Sequence, residues 1–165
     1  MSLVTLLVLM IFLVFASAII FGAPYLPTLK DQIKDALVLL DLSPGQTMYE
    51  FGSGDGRVLK AAAKLGVRAV GYEINPFLVI YSKLNCWQQR EFVEIHWRNF
   101  WHVQLQEADA LYVFLLNPYM AKLHEKIENE IDRPLKVVSF AFAIPGEKPL
   151  RTKKGIKMYE FLPRS

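Results

Sequence analysis

The chain has 165 residues, enough for one domain with its own hydrophobic core but not for two. Its 19 basic and 16 acidic side chains give a formal net charge of +3, and both signs are mixed along the sequence, which argues against a nucleic-acid-binding protein. The single cysteine, Cys86, cannot form an internal disulfide, so a disulfide-stabilised secreted domain is disfavoured and Cys86 is predicted to fill the core.

The N-terminal segment is strongly apolar. From Leu3 to Phe21 one threonine and one serine are the only polar residues, and the first charged side chain is Lys30. As a helix that rises 1.5 Å per residue, a stretch of this length covers the roughly 30 Å of a bilayer core. The sequence therefore predicts a transmembrane anchor over residues 1–23 and one domain over residues 24–165.

Two alternatives exist for this segment. A cleaved signal peptide is suggested by the small residues Ala16-Ser17-Ala18, but no basic residue precedes the apolar run and the run continues beyond them. A buried helix of a soluble domain is disfavoured because the segment has no polar face. Lys30 and Lys34 follow the segment, so the positive-inside rule predicts a single-pass membrane protein with its domain on the cytoplasmic or matrix-equivalent side.

Beyond the linker, short apolar runs alternate with helical patterns, which predicts an α/β fold with a mostly parallel sheet. The predicted strands are 47–51, 68–74, 92–97, 110–116 and 136–144, with an antiparallel edge strand at 156–162. The predicted helices are 30–40, 57–65, 76–87 and 120–131.

The first predicted strand runs into a turn rich in glycine, "EFGSGDGR" at residues 50–57, with glycines at Gly52, Gly54 and Gly56. Dinucleotide-binding turns carry G-x-G-x-x-G, and here Arg57 stands where that pattern needs its third glycine. The turn also lacks the Lys-Ser/Thr pair of a P-loop. The spacing therefore disfavours both of these phosphate-binding turns.

An acidic residue followed by G-x-G-x-G after the first strand resembles the first motif of the class I S-adenosylmethionine-dependent methyltransferases. The resemblance implies that Glu50 interacts with the ammonium group of the cofactor, while residues 52–56 bring backbone N–H groups close to its carboxylate. A second acid, Glu73, follows Gly52 by 21 residues, at the end of the second predicted strand. Its carboxylate is expected to accept hydrogen bonds from both ribose hydroxyls.

A closer resemblance rests on "PYLPT", "YEFGSGDGR", "VGYEINPFLVIYSK" and "RNFW", which occur in this order. The chain is similar to the small membrane-anchored lysine methyltransferases that modify the ATP synthase c subunit and the adenine nucleotide translocase. This resemblance implies a Rossmann-like class I sheet and S-adenosyl-L-methionine as cofactor. It also implies methylation of a lysine on an integral membrane protein. The apolar N-terminal segment predicts lipid contact, and the mixed charges and isolated histidines predict neither nucleic acid nor metal as a partner.

The resemblance also assigns cofactor-binding residues. Tyr25, Pro27 and Thr28 would form a lid over the methionine end. Asn99 stands where the family's D-x-W pattern has an aspartate that accepts the adenine amino hydrogen, a bond that its amide oxygen can also accept. Trp101 matches the pattern's tryptophan, with core packing as its alternative role. The implied cofactor-binding set is Tyr25, Pro27, Thr28, Glu50, Gly52, Ser53, Gly54, Asp55, Gly56, Glu73, Ile74, Asn99, Phe100 and Trp101.

Asn117, Pro118 and Tyr119 follow the fourth predicted strand, where methyltransferases place the groups nearest the transferred methyl. They match an Asn-Pro-Pro-Tyr motif only in part, because one proline is missing, so a nucleobase or glutamine substrate does not follow from them. As candidate catalytic residues, Asn117 and a neighbouring carbonyl would orient the nucleophilic nitrogen and Tyr119 would form a wall of the site. A purely turn-forming role is the alternative.

No dedicated base or metal site is evident, because the three histidines are isolated in the sequence. The basic stretch "RTKK" at residues 151–154 predicts a solvated turn or, alternatively, a contact with anionic lipid headgroups. Two other functions are compatible with the same fold: a small-molecule or lipid methyltransferase, and a non-catalytic cofactor-binding module at the membrane.

Overall fold

The computed structural model describes Ser2, residues 4–6, Val8 and residues 28–163. Over these residues, no helix combines the length and the apolar composition needed to cross a bilayer. The predicted anchor at residues 1–23 lies largely outside the described residues, as do Tyr25 and Pro27 of the predicted lid.

Residues 28–163 contain seven strands and four α-helices. The strands β1 to β7 are Thr47–Phe51, Arg68–Glu73, Val93–Trp97, Ala110–Val113, Leu135–Phe140, Arg151–Lys153 and Ile156–Phe161. The helices α1 to α4 are Lys30–Leu40, Arg57–Ala63, Pro76–Asn85 and Met120–Glu130. Short 3₁₀ turns cover Trp87–Gln89, Phe100–His102 and Asn117–Tyr119.

All seven strands form one sheet in the order β3-β2-β1-β4-β5-β7-β6. Strands β1 to β5 are parallel, and β7 is antiparallel to both β5 and β6. The chain builds outward from β1 to β3 and then returns to place β4 on the other side of β1. In open α/β sheets, ligands bind at the carboxyl ends of the strands where the order reverses in this way. The topology therefore places the candidate site at the ends of β1 and β4.

The mostly parallel sheet and the antiparallel strand are confirmed, but the sequence missed β6. This three-residue strand is fully exposed and has no apolar alternation, so it leaves no pattern to detect. We expected β7 to be the edge strand of the sheet. Instead β6 pairs with the free side of β7 and is itself the edge strand. Strand β5 ends at Phe140, earlier than predicted, because Ala141 adopts a left-handed conformation with φ of 69°.

The core lies on both faces of the sheet. Central strand β1 is buried along its whole length, with Met48 and Glu50 on one face and Tyr49 and Phe51 on the other. The first face packs under α1 and α2, and the second under α4. Cys86 is buried in the first layer, as predicted, and burial raises its pKa to about 11.

The basic stretch at residues 151–154 is exposed, as predicted, but only its last residue lies in a turn. Three of its residues form β6, and the Nζ atoms of Lys153 and Lys154 lie 2.8 and 3.3 Å from the carboxylate of Asp35 in α1. These ion pairs attach the β6–β7 hairpin to α1.

Candidate functional site

The glycine turn after β1 adopts a conformation that side chains disfavour. Gly52 and Gly56 have φ of 74° and 77°, in the left-handed region. A Cβ atom on Gly52 would meet no atom within 4 Å, so this glycine borders open space. A Cβ atom on Gly56 would lie 2.9 Å from the Sγ atom of Cys86, so this glycine lets the turn pack tightly against the end of α3. The turn thus has one open side and one packed side.

The backbone N–H groups of this turn are mostly used within the protein. Those of Gly52 and Ser53 donate to the carbonyl oxygen of Tyr72, at 2.9 and 3.2 Å. The N–H of Gly54 donates to Glu73, and that of Gly56 donates to the carbonyl oxygen of Ser53. In this conformation the turn closes on itself and on β2, so binding of a ligand carboxylate by these amides stays a prediction and would require some of these bonds to open or be shared.

Glu50 is a buried acid at the start of this turn. Its side chain is 5% exposed, and its Oε2 atom has no hydrogen-bond partner among the described residues. Burial raises the pKa of its carboxyl well above the ordinary value, and the nearby carboxylates of Asp55 and Glu73 raise it further. A backbone hydrogen bond from Leu59 opposes this shift only in part. A buried acid with one unpartnered oxygen is costly to ionise unless a cation binds beside it. The arrangement suits a ligand that carries a positive charge.

Glu73 fastens the end of β2 to the glycine turn. Its Oε2 atom accepts the N–H of Gly54 at 2.9 Å, while Oε1 accepts those of Ile74 and Asn75 at 2.9 and 2.8 Å. A carboxylate offers about four acceptor positions, so about one is left, on Oε2. Binding of both ribose hydroxyls by Glu73 stays a prediction and would require the Gly54 bond to open or be shared.

Asp55 and Arg57 connect the turn to the segment before α1. The guanidinium of Arg57 binds both carboxylate oxygens of Asp55, with the shortest contact at 2.7 Å, and also donates to the carbonyl oxygen of Thr28 at 3.1 Å. The carboxylate of Asp55, predicted to bind the cofactor, therefore binds Arg57. Its carbonyl oxygen accepts a 2.9 Å hydrogen bond from Asn85 at the end of α3.

Tyr112 was not identified from the sequence. It pairs in register with Glu50 across β1 and β4, so both side chains point to the same face of the sheet. Its hydroxyl shares a 3.2 Å hydrogen bond with the hydroxyl of Thr28, and burial raises its pKa above the ordinary value. Tyr112 and Thr28 thus place two hydroxyl groups on the Glu50 side of the sheet, where a ligand carboxylate could find donors.

The loop after β3 supplies aromatic walls. The ring of Phe100 stacks on that of Phe51 at the end of β1, with centroids 4.7 Å apart, and Trp101 lies 4.8 Å from Phe100. The amide oxygen of Asn99 accepts the N–H of Trp101 at 3.0 Å, so it caps the 3₁₀ turn while keeping a second acceptor position. An adenine contact by Asn99 stays a prediction.

Lys126 holds this loop from behind. Its Nζ atom donates to the carbonyl oxygens of Trp101 and Val103 and to the carboxylate of Glu130 one turn further along α4. The side chain is buried, and the three N–H donors of its ammonium group all find acceptors. Lys126 therefore fixes the position of the Trp101 loop relative to α4.

The predicted catalytic residues form the 3₁₀ turn after β4, next to the same loop. The ring of Tyr119 lies 6.3 Å from that of Trp101, and Asn117, Pro118 and Tyr119 are all exposed. The structure thus brings together the loops after β3 and β4, which are distant in the sequence. The turn-forming alternative is also compatible with this 3₁₀ geometry.

Trp97 is a second residue that sequence reasoning missed. It ends β3, it is 67% exposed, and its indole Nε1 donates to the carbonyl oxygen of Ile74 at 2.9 Å. It therefore flanks the predicted adenine side of the site, beside Glu73. No pattern singled it out, because its contact depends on the pairing of β2 with β3.

Two of the three histidines lie beside carboxylates. His96 lies on the exposed face of β3 near Glu94, and His124 lies near Glu128 and Glu147. Within residues 28–163 and the few described residues before them, no group of three His, Cys, Asp or Glu side chains could hold a metal ion.

The sheet order, the acid and glycine turn after β1, and the acid that ends β2 define a Rossmann-like methyltransferase fold. The ANTKMT methyltransferase domain matches residues 50–151, and the chain belongs to this family.

Three known proteins illustrate the similarity. The chain is 36% identical over 130 residues to the lysine N-methyltransferase of the ATP synthase c subunit from Xenopus laevis, covering 76% of this chain and 56% of that protein. It is 35% identical over 130 residues to the adenine nucleotide translocase lysine N-methyltransferase of Mus musculus, covering 77% and 56%. The chain thus spans about half the length of these relatives. A crystal structure described as an RNA methyltransferase of Salinibacter ruber with S-adenosyl-L-homocysteine superposes with a TM-score of 0.77 at 29% identity, covering 85% of this chain and 95% of that one.

Proposed function

We propose that this chain is an S-adenosylmethionine-dependent protein-lysine N-methyltransferase. The observation that carries the proposal is the buried carboxyl of Glu50, whose Oε2 atom lacks a partner among the described residues and which precedes the open Gly52 by two residues. An amino acid ammonium group would satisfy it. The comparisons support the proposal, since the chain belongs to the ANTKMT methyltransferase family and two of its relatives are named as lysine N-methyltransferases.

The residues of the site fit this cofactor. Glu50 would hold the ammonium group, and the hydroxyls of Thr28 and Tyr112 are donors for the carboxylate on the same face of the sheet. Glu73 would contact the ribose, and Ile74, Phe100 and Trp101 would enclose the adenine. The cofactor supplies a methyl group that is already activated for transfer to a nucleophile.

The protein's own contribution is then positioning and exclusion of water. Asn117 lies at the exposed mouth of the site, where its amide oxygen can accept a hydrogen bond from a lysine amine and orient its lone pair. Tyr119 and Trp101 would shield this amine on one side. A lysine must lose its proton before it can react, and a dry site lowers its pKa by disfavouring the charged form.

We further propose that the substrate is a lysine of an integral membrane protein and that residues 1–23 anchor the enzyme as a single-pass protein, with its domain on the cytoplasmic or matrix-equivalent side. The apolar run from Leu3 to Phe21 and the basic residues that follow it support this arrangement. The names of two relatives, which refer to the ATP synthase c subunit and the adenine nucleotide translocase, are consistent with it.

The test is a methyl-transfer assay with the purified full chain, radiolabelled cofactor and a membrane extract, followed by mass spectrometry of the labelled product. Methylated lysine in a membrane protein is the expected result. Label in a lipid, a small molecule or RNA would refute the lysine assignment. Cofactor binding without any transfer would indicate the non-catalytic module instead. Glu50→Gln is the inactive control, and Glu91→Gln, which alters an exposed carboxylate, is the matched active control.

A further inference from the structure

Helix α3 presents an apolar face that no other described element covers. Four of its large side chains follow the i, i+3, i+4, i+7 spacing of one helix face, and a tryptophan continues the row into the next turn. Each of them is 58–69% exposed. The smaller residues Val79, Ser82 and Cys86 are the ones that face the core. We call this surface the α3 face; it consists of Phe77, Ile80, Tyr81, Leu84 and Trp87.

This orientation is the reverse of an ordinary surface helix, which turns its apolar stripe inward. Contiguous exposed apolar patches of this kind mark interaction sites in folded proteins. The described apolar residues at the N-terminus do not cover the α3 face, because Val4, Leu6 and Val8 are themselves exposed.

Basic side chains adjoin the α3 face, although both signs are mixed over the chain as a whole. Residues 55–94 contain six Lys or Arg and four Asp or Glu, for a formal charge of +2, and two of the arginines, Arg57 and Arg68, pair with Asp55 and Glu94. Lys83 and Arg90 flank the face and form no ion pair with any described residue, and the Arg90 guanidinium lies 5.0 Å from the ring centre of Trp87. The surface therefore combines aromatic and aliphatic side chains with free positive charges.

We propose that the α3 face binds an anionic lipid bilayer at its interface. Tryptophan, tyrosine and phenylalanine side chains occupy the boundary between headgroups and acyl chains, and lysine and arginine beside them bind anionic headgroups. A helix that lies in the interface in this way binds by its buried apolar area and its positive charge together.

This contact also orients the site. Phe77 follows Glu73 by only four residues, so one end of the α3 face adjoins the ribose side of the site. With the α3 face on the bilayer, the ribose side of the proposed site would lie close to the headgroup plane. The inference depends neither on the proposed activity nor on the proposed anchor.

The experiment places a polarity-sensitive fluorophore on the α3 face of the full chain. Ile80→Cys provides the labelling site, and the native Cys86 does not compete because it is 2% exposed. Val38→Cys on α1 is the matched control, since Val38 is 57% exposed and Ile80 is 61% exposed. Both proteins are reconstituted in phosphatidylcholine vesicles with or without phosphatidylserine, and brominated acyl chains serve as quenchers.

The fluorophore on Ile80→Cys should show a blue shift of its emission and quenching by the brominated acyl chains, both stronger with phosphatidylserine. The fluorophore on Val38→Cys should show neither effect. Adding Leu84→Glu should abolish both effects at Ile80→Cys. Equal quenching of the two labels, or none at either, would overturn the proposal. A blue shift at Ile80→Cys without quenching by the brominated chains would also overturn it, because a protein partner or a second copy would then cover the face.

Discussion

Replacing Glu50 with glutamine is expected to stabilise the fold near neutral pH while it removes most of the cofactor affinity. The carboxyl is buried, and one of its oxygens lacks a partner among the described residues. In the free protein the charged form is therefore unfavourable, and glutamine removes that charge without changing the size of the side chain. The same charge is what the proposed ammonium group needs.

The stability effect follows from the direction in which the pKa moves. Burial, Asp55 and Glu73 raise the pKa of Glu50 in the folded state above the ordinary value of 4.5. Such a group favours folding below its unfolded pKa, and that contribution is lost as the pH rises through its folded pKa. A difference of one between the folded and unfolded pKa corresponds to about 1.36 kcal/mol. The stability gained by Glu50→Gln should therefore be small at pH 4.5 and grow as the pH rises, which thermal unfolding at several pH values measures.

The binding effect is expected to be large. Removing one partner of a buried charge pair costs about 2–5 kcal/mol, which raises Kd roughly 30- to 4,000-fold. Because the cation stabilises the ionised carboxyl, binding to the wild-type protein should release a proton, and affinity should rise with pH above 4.5. Calorimetry in buffers of different ionisation enthalpy detects this proton, which the Glu50→Gln variant should not release.

The control is Glu91→Gln, which removes an exposed carboxylate and should leave both the stability of the fold and the affinity for the cofactor unchanged. Retention of wild-type affinity by Glu50→Gln would refute the assignment of Glu50 to the ammonium group. A stability difference that does not grow with pH would refute the argument from burial.

Three other substitutions test the site. Tyr112→Phe removes the hydroxyl bonded to Thr28 and should weaken cofactor binding by about 0.5–1.5 kcal/mol without loss of fold, measured by calorimetry; unchanged affinity would exclude a role for this hydroxyl. Gly56→Ala should destabilise the fold by about 1–3 kcal/mol, and Cys86→Ala should recover only part of this, because it relieves the contact with Sγ but neither the 3.0 Å contact with the Cβ atom of Ser82 nor the left-handed strain. Lys126→Met should destabilise the fold by about 1–3 kcal/mol and raise KM for the cofactor more than it lowers kcat, and a change in kcat alone would contradict its positioning role.

The sequence predicted the location of the site better than its contacts. Glu50, the glycine turn and Glu73 lie at strand ends, and strand ends can be recognised from apolar runs and turn residues. The partners of their polar groups could not be recognised, because they depend on the register between strands. That Gly52 and Ser53 donate to Tyr72 requires the pairing of β1 with β2, which no local pattern specifies.

The same limit explains Tyr112. Within "ALYVFLL" it is one apolar or aromatic residue among several, and only its register with Glu50 reveals a role in the site. The exposure of the α3 face could not be predicted from the sequence either. Phe77, Ile80 and Leu84 have the spacing expected of a core-facing helix stripe, and periodicity alone does not indicate which side of a helix faces the core.

The glycine turn connects the cofactor site to both of the proposed membrane contacts. Arg57 joins the turn to Thr28, the first residue of the described domain after the apolar segment, and Thr28 in turn contacts Tyr112 beside Glu50. On its other side, the carbonyl oxygen of Asp55 binds Asn85 at the end of α3. The segment at Thr28 thus contacts the turn through the side chain of Arg57, and the end of α3 contacts it through Asn85 and Cys86. Attachment of either element to a bilayer would therefore act, through these hydrogen bonds, on the turn at the proposed cofactor site.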